Sequence, residues 1–250
     1  MKSKKVLVTG GSRGIGKAIA VEFARCDFKV ALHYKNPQTP VDHLVETLPG
    51  KGHISVRGDL EDPQQVEQIT EEVFDKFNYV DVLINNAGIY DQYDLTELTY
   101  QQWLDKWERY INVNLLGPVN LSFLIARKMI EQKIKGKIIN ITSRGAYRGE
   151  PTSPAYGATK AGLNSFSQSL AQALAKYDIY VYGVAPGFVR TDMTEEILSS
   201  PQGKSIISQS PLNRVARPEE IAKMVLFLSS DSADYATGAI MDINGASYLH

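Results

Sequence analysis

The chain has 250 residues, 43% hydrophobic and 22% charged, a composition that suits one large α/β domain or two small ones with a sizeable core. Its net charge of −1, from 27 basic and 28 acidic residues, argues against a nucleic-acid or anionic-membrane surface. One cysteine, Cys26, excludes an intrachain disulfide and fits a reducing compartment; no apolar run approaches the ~20 residues that span a bilayer, so a soluble cytoplasmic protein is expected.

In chain order, Val6–Val8 reads as a first strand rather than the core of a signal peptide. Ile15–Arg25 reads as a helix with Ile15, Ile19, Ala20 and Phe23 on one face, and Cys26 belongs to that pattern as packing rather than as a nucleophile. Strands at Val30–Tyr34 and His53–Val56 flank a short helix at Val41–Leu48. Pro63–Phe77 is a helix with Val66, Ile69, Val73 and Phe77 at core spacing, followed by a strand at Val80–Ile84. Tyr100–Ile130 holds one long helix or two, with Gly117-Pro118 as the candidate interruption; Trp103 and Trp107, four apart on it, read as core or interface. The lysines of the stretch 133–137 read as a solvated strand edge leading into Lys137–Ile141. Ala155–Lys176 is a long helix, Ile179–Val184 a sixth strand, Pro218–Leu228 a helix and Ala239–Ile243 a last strand. Between them Thr191–Arg217, with Pro201, Gly203 and Pro211, reads as a long loop, preferably a mobile substrate lid and otherwise a surface excursion.

The strands are continuous apolar runs, as strands buried on both faces are, and they alternate with helices. The pattern predicts an α/β protein: one domain over 1–250, with a Rossmann-type doubly wound parallel sheet of about seven strands flanked by helices.

Thr9-Gly10-Gly11-Ser12-Arg13-Gly14-Ile15-Gly16 joins the first strand to the first helix. Glycine lets backbone approach a phosphate closely, and a helix N-terminus presents free N–H groups and a positive dipole end to it. The spacing G-x-x-x-G-x-G differs from the usual dinucleotide fingerprint. The second strand ends His33-Tyr34-Lys35-Asn36 without the acid that holds the 2′-hydroxyl of NAD, so Arg13 and Lys35 are candidates to clasp the 2′-phosphate and NADP(H) is favoured over NAD(H). Asp59 and Leu60 lie where an adenine edge could rest; Asp59 is alternatively a cap for the Pro63 helix.

Tyr156 and Lys160 share a helix face at i, i+4. A free phenol has a pKa of about 10, and a neighbouring cation lowers it towards the range useful for proton exchange. Ser143, just past a strand, stands at the carboxyl edge of the sheet, where open α/β folds bind ligands. Arg144 and Tyr147 should face the substrate, with Tyr90 and Tyr93 as further candidates and ordinary loop packing as the alternative. The four histidines show no ligand clustering, so no metal is expected.

Together with NNAG at 85–88, VNLLG at 113–117 and PGFVRT at 186–191, these segments resemble the short-chain dehydrogenases/reductases over essentially the whole chain. The resemblance implies direct hydride transfer between a nicotinamide and a carbonyl or secondary alcohol. Tyr156 is then the acid/base, Lys160 the ribose ligand that lowers its pKa, Ser143 the substrate-orienting hydroxyl and Asn114, rather than Asn112, the holder of a relay water. Asn86, Ala87 and Gly88 line the adenosine ribose side, and Pro186, Gly187, Val189 and Thr191 the nicotinamide end. The resemblance also implies a homotetramer.

Within the family, LVTGGSRGIG, DVLINNAG and VAPGFVRTDM are most similar to 3-oxoacyl-acyl-carrier-protein reductases. That likeness implies a 3-oxoacyl thioester and acyl carrier protein as partner. Where those enzymes carry arginines near the end of the helix that follows the catalytic tyrosine, this one ends Gln172-Ala-Leu-Ala-Lys176-Tyr177, leaving Lys176, Lys133 and Lys135 as a reduced docking surface. A small ketone, sugar or polyketide-like substrate therefore stays open, as does, from another class, a nucleotide-sensing regulator without catalysis.

Overall fold

Runs rich in valine, leucine and isoleucine can be buried on both faces only inside a sheet that is covered twice. The computed structural model, which describes residues 3–250, arranges them so. Its strands are β1 (Lys5–Val8), β2 (Lys29–Tyr34), β3 (Ile54–Arg57), β4 (Val82–Asn85), β5 (Gly136–Ile141), β6 (Ile179–Pro186) and β7 (Ile240–Ile243). They form one sheet in the order β3-β2-β1-β4-β5-β6-β7, with every pairing parallel. The helices are α1 (Gly14–Arg25), α2 (Val41–Thr47), α3 (Pro63–Phe77), α4 (Tyr100–Ile111), α5 (Gly117–Gln132), α6 (Gly145–Arg148), α7 (Pro154–Leu174), α8 (Asp192–Ser199), α9 (Pro201–Ser208) and α10 (Pro218–Leu228). One face of the sheet packs on α1, α2 and α10, the other on α3, α5 and α7. Each large apolar side chain so buried contributes roughly 1.5–3 kcal/mol. The strand order reverses direction between β1 and β4, and the carboxyl edge there is the natural ligand crevice.

Several local readings are corrected. The stretch 191–217 is not a structureless loop. It holds α8 and α9, started by a Thr191–Thr194 capping box and by Pro201 at N1 behind the Ser200 cap. Its base is closed where Val189 pairs with Ala216. Gly117-Pro118 does not break the helix: α4 runs into α5 through a π-helical turn at Asn112–Leu116. Asp62, not Asp59, caps α3, accepting from Gln64 N at 2.9 Å. Cys26 is exposed at the C-cap of α1 rather than packed. Lys137 is not on a solvated edge, because β5 lies between β4 and β6; its ammonium is buried against Asp234.

His33 is the one buried histidine among the described residues. Its Nδ1 accepts from Gly10 N (3.3 Å) and its Nε2 donates to Gly58 O (3.0 Å), which fixes the neutral tautomer and ties the glycine loop to the turn after β3. Burial lowers the imidazole to about 4, with the Gly58 carbonyl acting the other way. The folded protein therefore refuses a proton that the unfolded chain accepts below about 6.5. Stability should fall as pH drops from 6.5 towards 4, by about 2 kcal/mol at pH 5. Urea unfolding at pH 7 and pH 5 should show this loss in the wild type and a smaller one in His33→Gln; parallel losses would contradict it.

Candidate active site

The glycine-rich turn is built by close approach. Gly10 has φ +60°, and a Cβ there would lie 3.0 Å from Ala87 Cα; at Gly16 a Cβ would meet Gly10 O at 2.3 Å. Thr9 Oγ1 accepts from Asn86 N (2.9 Å) and Ala87 N (3.0 Å), while Asn86 Nδ2 donates to Thr9 O (2.9 Å). These bonds lock the end of β4 to the end of β1 and leave the first turn of α1 open. Arg13, the N-cap, makes no side-chain cap bond, so the helix N–H groups at Gly14, Ile15 and Gly16 lack that partner. Ser12 lies in the same turn.

Around the rim, Arg13 is exposed. Lys35, after Tyr34, is held by Asp59 (2.5 Å) and Glu61 (3.7 Å) rather than standing free as its assigned 2′-phosphate role suggests. Leu60 is buried beside that pair and packs under Gly117.

Lys160, Asn114 and Gly88 converge. A Cβ on Gly88 would lie 3.2 Å from Asn114 Oδ1 and 3.5 Å from Lys160 Nζ. The π-helical turn carries Asn114, which is fully buried; such turns cluster at functional sites. Asn114 grips the backbone of Ile89 at both ends, accepting from Ile89 N (2.8 Å) and donating to Ile89 O (3.0 Å). Lys160 Nζ donates to Ile141 O at 2.8 Å, and burial pulls the ammonium down to about 8.

Tyr156 lies one turn before Lys160, whose Nζ is 5.7 Å from the phenol ring. Its pKa departs from the sequence expectation. Burial pushes the phenol up to about 12, the Ser143 hydroxyl pulls it down, and Glu150 and Tyr90 push it up. Lys160 is not among these causes, so in this structure the desolvation it was expected to offset prevails. Ser143 Oγ also accepts from Gly145 N at 3.0 Å, at the start of α6.

The other side of the crevice is the segment after β6. Pro186 ends the strand, Gly187 packs on Asn244, Val189 pairs with Ala216, and Thr191 lies beside Gly14. Thus both ends of α8–α9 sit next to the glycine turn and the Ser143 segment. Arg144 is buried and turned towards Ser247 and Gln209. Tyr147 stacks on His250 with ring centres 3.8 Å apart.

Sequence reasoning missed Tyr110. This buried residue of α4 stands edge-on to Tyr156 at 6.4 Å, as Tyr90 does at 5.0 Å. Its hydroxyl donates to Asp91 Oδ1 (2.5 Å) and accepts from Asp91 N (2.6 Å) and Ser153 Oγ (3.2 Å). One phenol thereby joins three segments that frame Tyr156. The only available signal was a tyrosine four residues before Asn114. His33 and Thr9 were also passed over, one read only as a missing acid and the other only as part of a glycine motif.

Residues 10–246 match a family described as enoyl-(acyl carrier protein) reductase. A 3-oxoacyl-acyl-carrier-protein reductase of Synechocystis sp. is 37% identical over 98% of this chain and 97% of its own length. The enzyme of that name from Staphylococcus epidermidis is 36% identical over 99% and 100%. A solved short chain dehydrogenase from Bacillus anthracis superposes with a TM-score of 0.87 at 30% identity, covering 99% of this chain and 97% of its own. The chain belongs to the short-chain dehydrogenase/reductase family. It is an oxidoreductase of that family, and its parallel sheet and glycine turn are the family's in this chain's own residues.

Replacing Tyr110 by Phe keeps the ring and removes the junction, leaving Ser153 Oγ and Asp91 N without that partner. The expected loss is about 1–3 kcal/mol of stability, read from urea midpoints. An unchanged midpoint would show that the junction carries no load.

Proposed function

We propose that the protein is an NADP(H)-preferring reductase of a carbonyl, with 3-oxoacyl thioesters as the substrate class to test first. The observation that carries this reading is the convergence of Lys160 and Asn114 at Gly88, with Tyr156 one turn before Lys160 and in hydrogen-bond contact with Ser143. The substrate class rests on the two named relatives.

The residues present fit a dinucleotide. The close contacts at Gly10 and Gly16 leave backbone rather than side chain facing the α1 N-terminus, which suits a pyrophosphate. Gly10 to Gly16 would hold the phosphates, Asn86 to Gly88 the adenosine ribose side, Lys160 the nicotinamide ribose, and Pro186 to Thr191 the nicotinamide end. Such a cofactor supplies or accepts the hydride. Arg13, exposed and free of any carboxylate within 4.0 Å among the described residues, is the stronger 2′-phosphate ligand. Lys35 contributes less, since Asp59 and Glu61 offset its charge.

Ser143 donates a hydrogen bond to the substrate oxygen. Tyr156 passes its phenolic proton to that oxygen as the carbonyl carbon becomes tetrahedral. Lys160, its Nζ 5.7 Å from the ring, sets a cation beside the phenolate left behind without outweighing the burial that keeps the phenol high, and Asn114 holds the floor of the site through Ile89. In oxidation the same groups act in reverse. The α4–α5 and α7 helices and β7 are where the family resemblance locates a homotetramer, which sedimentation velocity tests. α8 and α9 form the substrate lid in this reading. No helix of the described residues is long and apolar enough to cross a membrane.

Acyl carrier protein as partner has mixed support. Of the reduced basic surface, Lys135 is already paired with Asp231 (3.1 Å) and Asp234 (2.7 Å). A carrier-free thioester is therefore the first substrate to try.

NADPH oxidation with acetoacetyl thioesters, beside simple ketones and quinones, should show turnover that Tyr156→Phe lowers at least about a hundredfold while nucleotide binding persists. Wild-type rates in that variant, or no turnover across the panel, would refute the reading. Arg13→Ala should raise KM for NADPH about tenfold and leave KM for NADH unchanged. A clear NADH preference in the wild type would overturn the cofactor assignment.

A further inference from the structure

Immediately after Ser143, the chain buries a cation without an anion. Arg144 is 3% exposed. Its guanidinium donates from Nη1 to Ser247 Oγ and from Nη2 to Gln209 Oε1, both at 2.5 Å, and it lies 5.1 Å from the centre of the Phe188 ring. No carboxylate lies within 4.0 Å of it among the described residues. A guanidinium stays charged in proteins, and burying a charge is costly unless it is paired.

A second guanidinium comes to the same atom. Arg148 Nη1 donates to Gln209 Oε1 at 3.2 Å. Two like charges thus share one neutral amide oxygen at the C-terminal end of α9. Burial, with Arg148 beside it, brings Arg144 down to about 10. Glu150 compensates in part: its carboxylate is 3.9 Å from Arg148 Nε. One acid stands against two bases.

Arg144 also lines a cavity of about 180 Å³ walled by Phe188, Ile206, Leu212, Val215 and Ile243. Arg214, which also lines it, is fully engaged by Glu220 at 2.7 Å through both nitrogens. Of the two lining guanidiniums, the one without a carboxylate partner among the described residues is Arg144, next in sequence to Ser143.

We propose that Arg144 and Arg148, converging on the Gln209 amide oxygen, form a subsite for a carboxylate carried by the substrate at the end remote from its carbonyl. A primary amide and a carboxylate have nearly the same planar shape, so Gln209 already occupies the place with the weaker of two isosteric acceptors. Two guanidiniums favour the charged one, because a carboxylate adds charge–charge attraction and bidentate geometry to bonds that already have an ionised donor. A substrate carboxylate displaces the Gln209 oxygen, and the apolar walls receive the chain between carboxylate and carbonyl. The link to substrate rests on the reductase reading above; the anion subsite itself does not.

Glutarate is the probe, with glutaramide and inorganic phosphate as controls, titrated calorimetrically into the full-length protein. Glutarate should bind and glutaramide should not. Arg148→Gln, a partly exposed position chosen because Arg144 variants risk misfolding, should weaken glutarate about tenfold. Gln209→Glu places the carboxylate in the subsite; it should abolish glutarate binding and raise Tm by about 2–4 °C. Equal binding of glutarate and glutaramide, phosphate binding in place of glutarate, or a Gln209→Glu protein that is less stable and still binds glutarate would each overturn the proposal. In turnover, the KM preference for a keto acid over its methyl ester should shrink about tenfold in Arg148→Gln, and an unchanged preference overturns the link to substrate. Absence of any NADPH oxidation with glutarate binding intact counts against the reductase reading and not against the subsite.

Discussion

The site is organised around one buried ammonium. Lys160 is 4% exposed, and its Nζ donates to a single backbone carbonyl, that of Ile141. Removing an ammonium from water costs several kcal/mol, whereas one charge-assisted hydrogen bond returns roughly 1.5–3 kcal/mol. The difference appears as a pKa lowered from 10.5 to about 8, equivalent to about 3 kcal/mol. The folded protein carries this penalty in full below pH 8 and is relieved of it between pH 8 and 10.5 as the amine loses its proton. A protein tolerates such a cost where the charge has work to do.

The neighbours of Lys160 follow from that placement. A side chain at Gly88 would crowd Asn114 Oδ1, 3.2 Å from its Cβ, and rest against the ammonium. Asn114 spends both amide ends on Ile89 and so fixes the segment leading to Tyr90 and Asp91. Tyr110 then clasps Asp91 and Ser153, and Ser153 precedes Tyr156 by three residues at the start of α7. Tyr156 thereby meets the rings of Tyr90 and Tyr110 edge-to-face, with Ser143 within reach. On the other flank, His33 and Thr9 lock the glycine turn to the strands beside it. The parallel sheet matters because it delivers the ends of β1, β4, β5 and β6 to one edge.

Much of this was legible in the sequence, for physical reasons. Strands buried on both faces read as unbroken apolar runs, and all seven were located to within a few residues. Helices with a proline at N1, such as Pro63–Phe77 and Pro218–Leu228, were bounded to the residue. The same proline rule misled at 191–217, where Pro201 and Gly203 looked like breakers. Pro201 instead starts α9, and Gly203 lets that helix sit against the Leu198 carbonyl. Lys137 and Cys26 were misjudged because exposure depends on the strand order and on where a helix ends, neither of which a local pattern carries. The direction of the Tyr156 shift was also beyond the sequence. Spacing reports that a cation is near, but not how completely both groups are desolvated.

The buried ammonium can be observed directly. In protein carrying nitrogen-15 at the lysine side chains, one amine should titrate at about 8 and disappear from the spectrum of Lys160→Met. If the resonance lost in that variant titrates with the exposed lysines near their ordinary value of about 10.4, Lys160 is solvated and the account of the site is wrong.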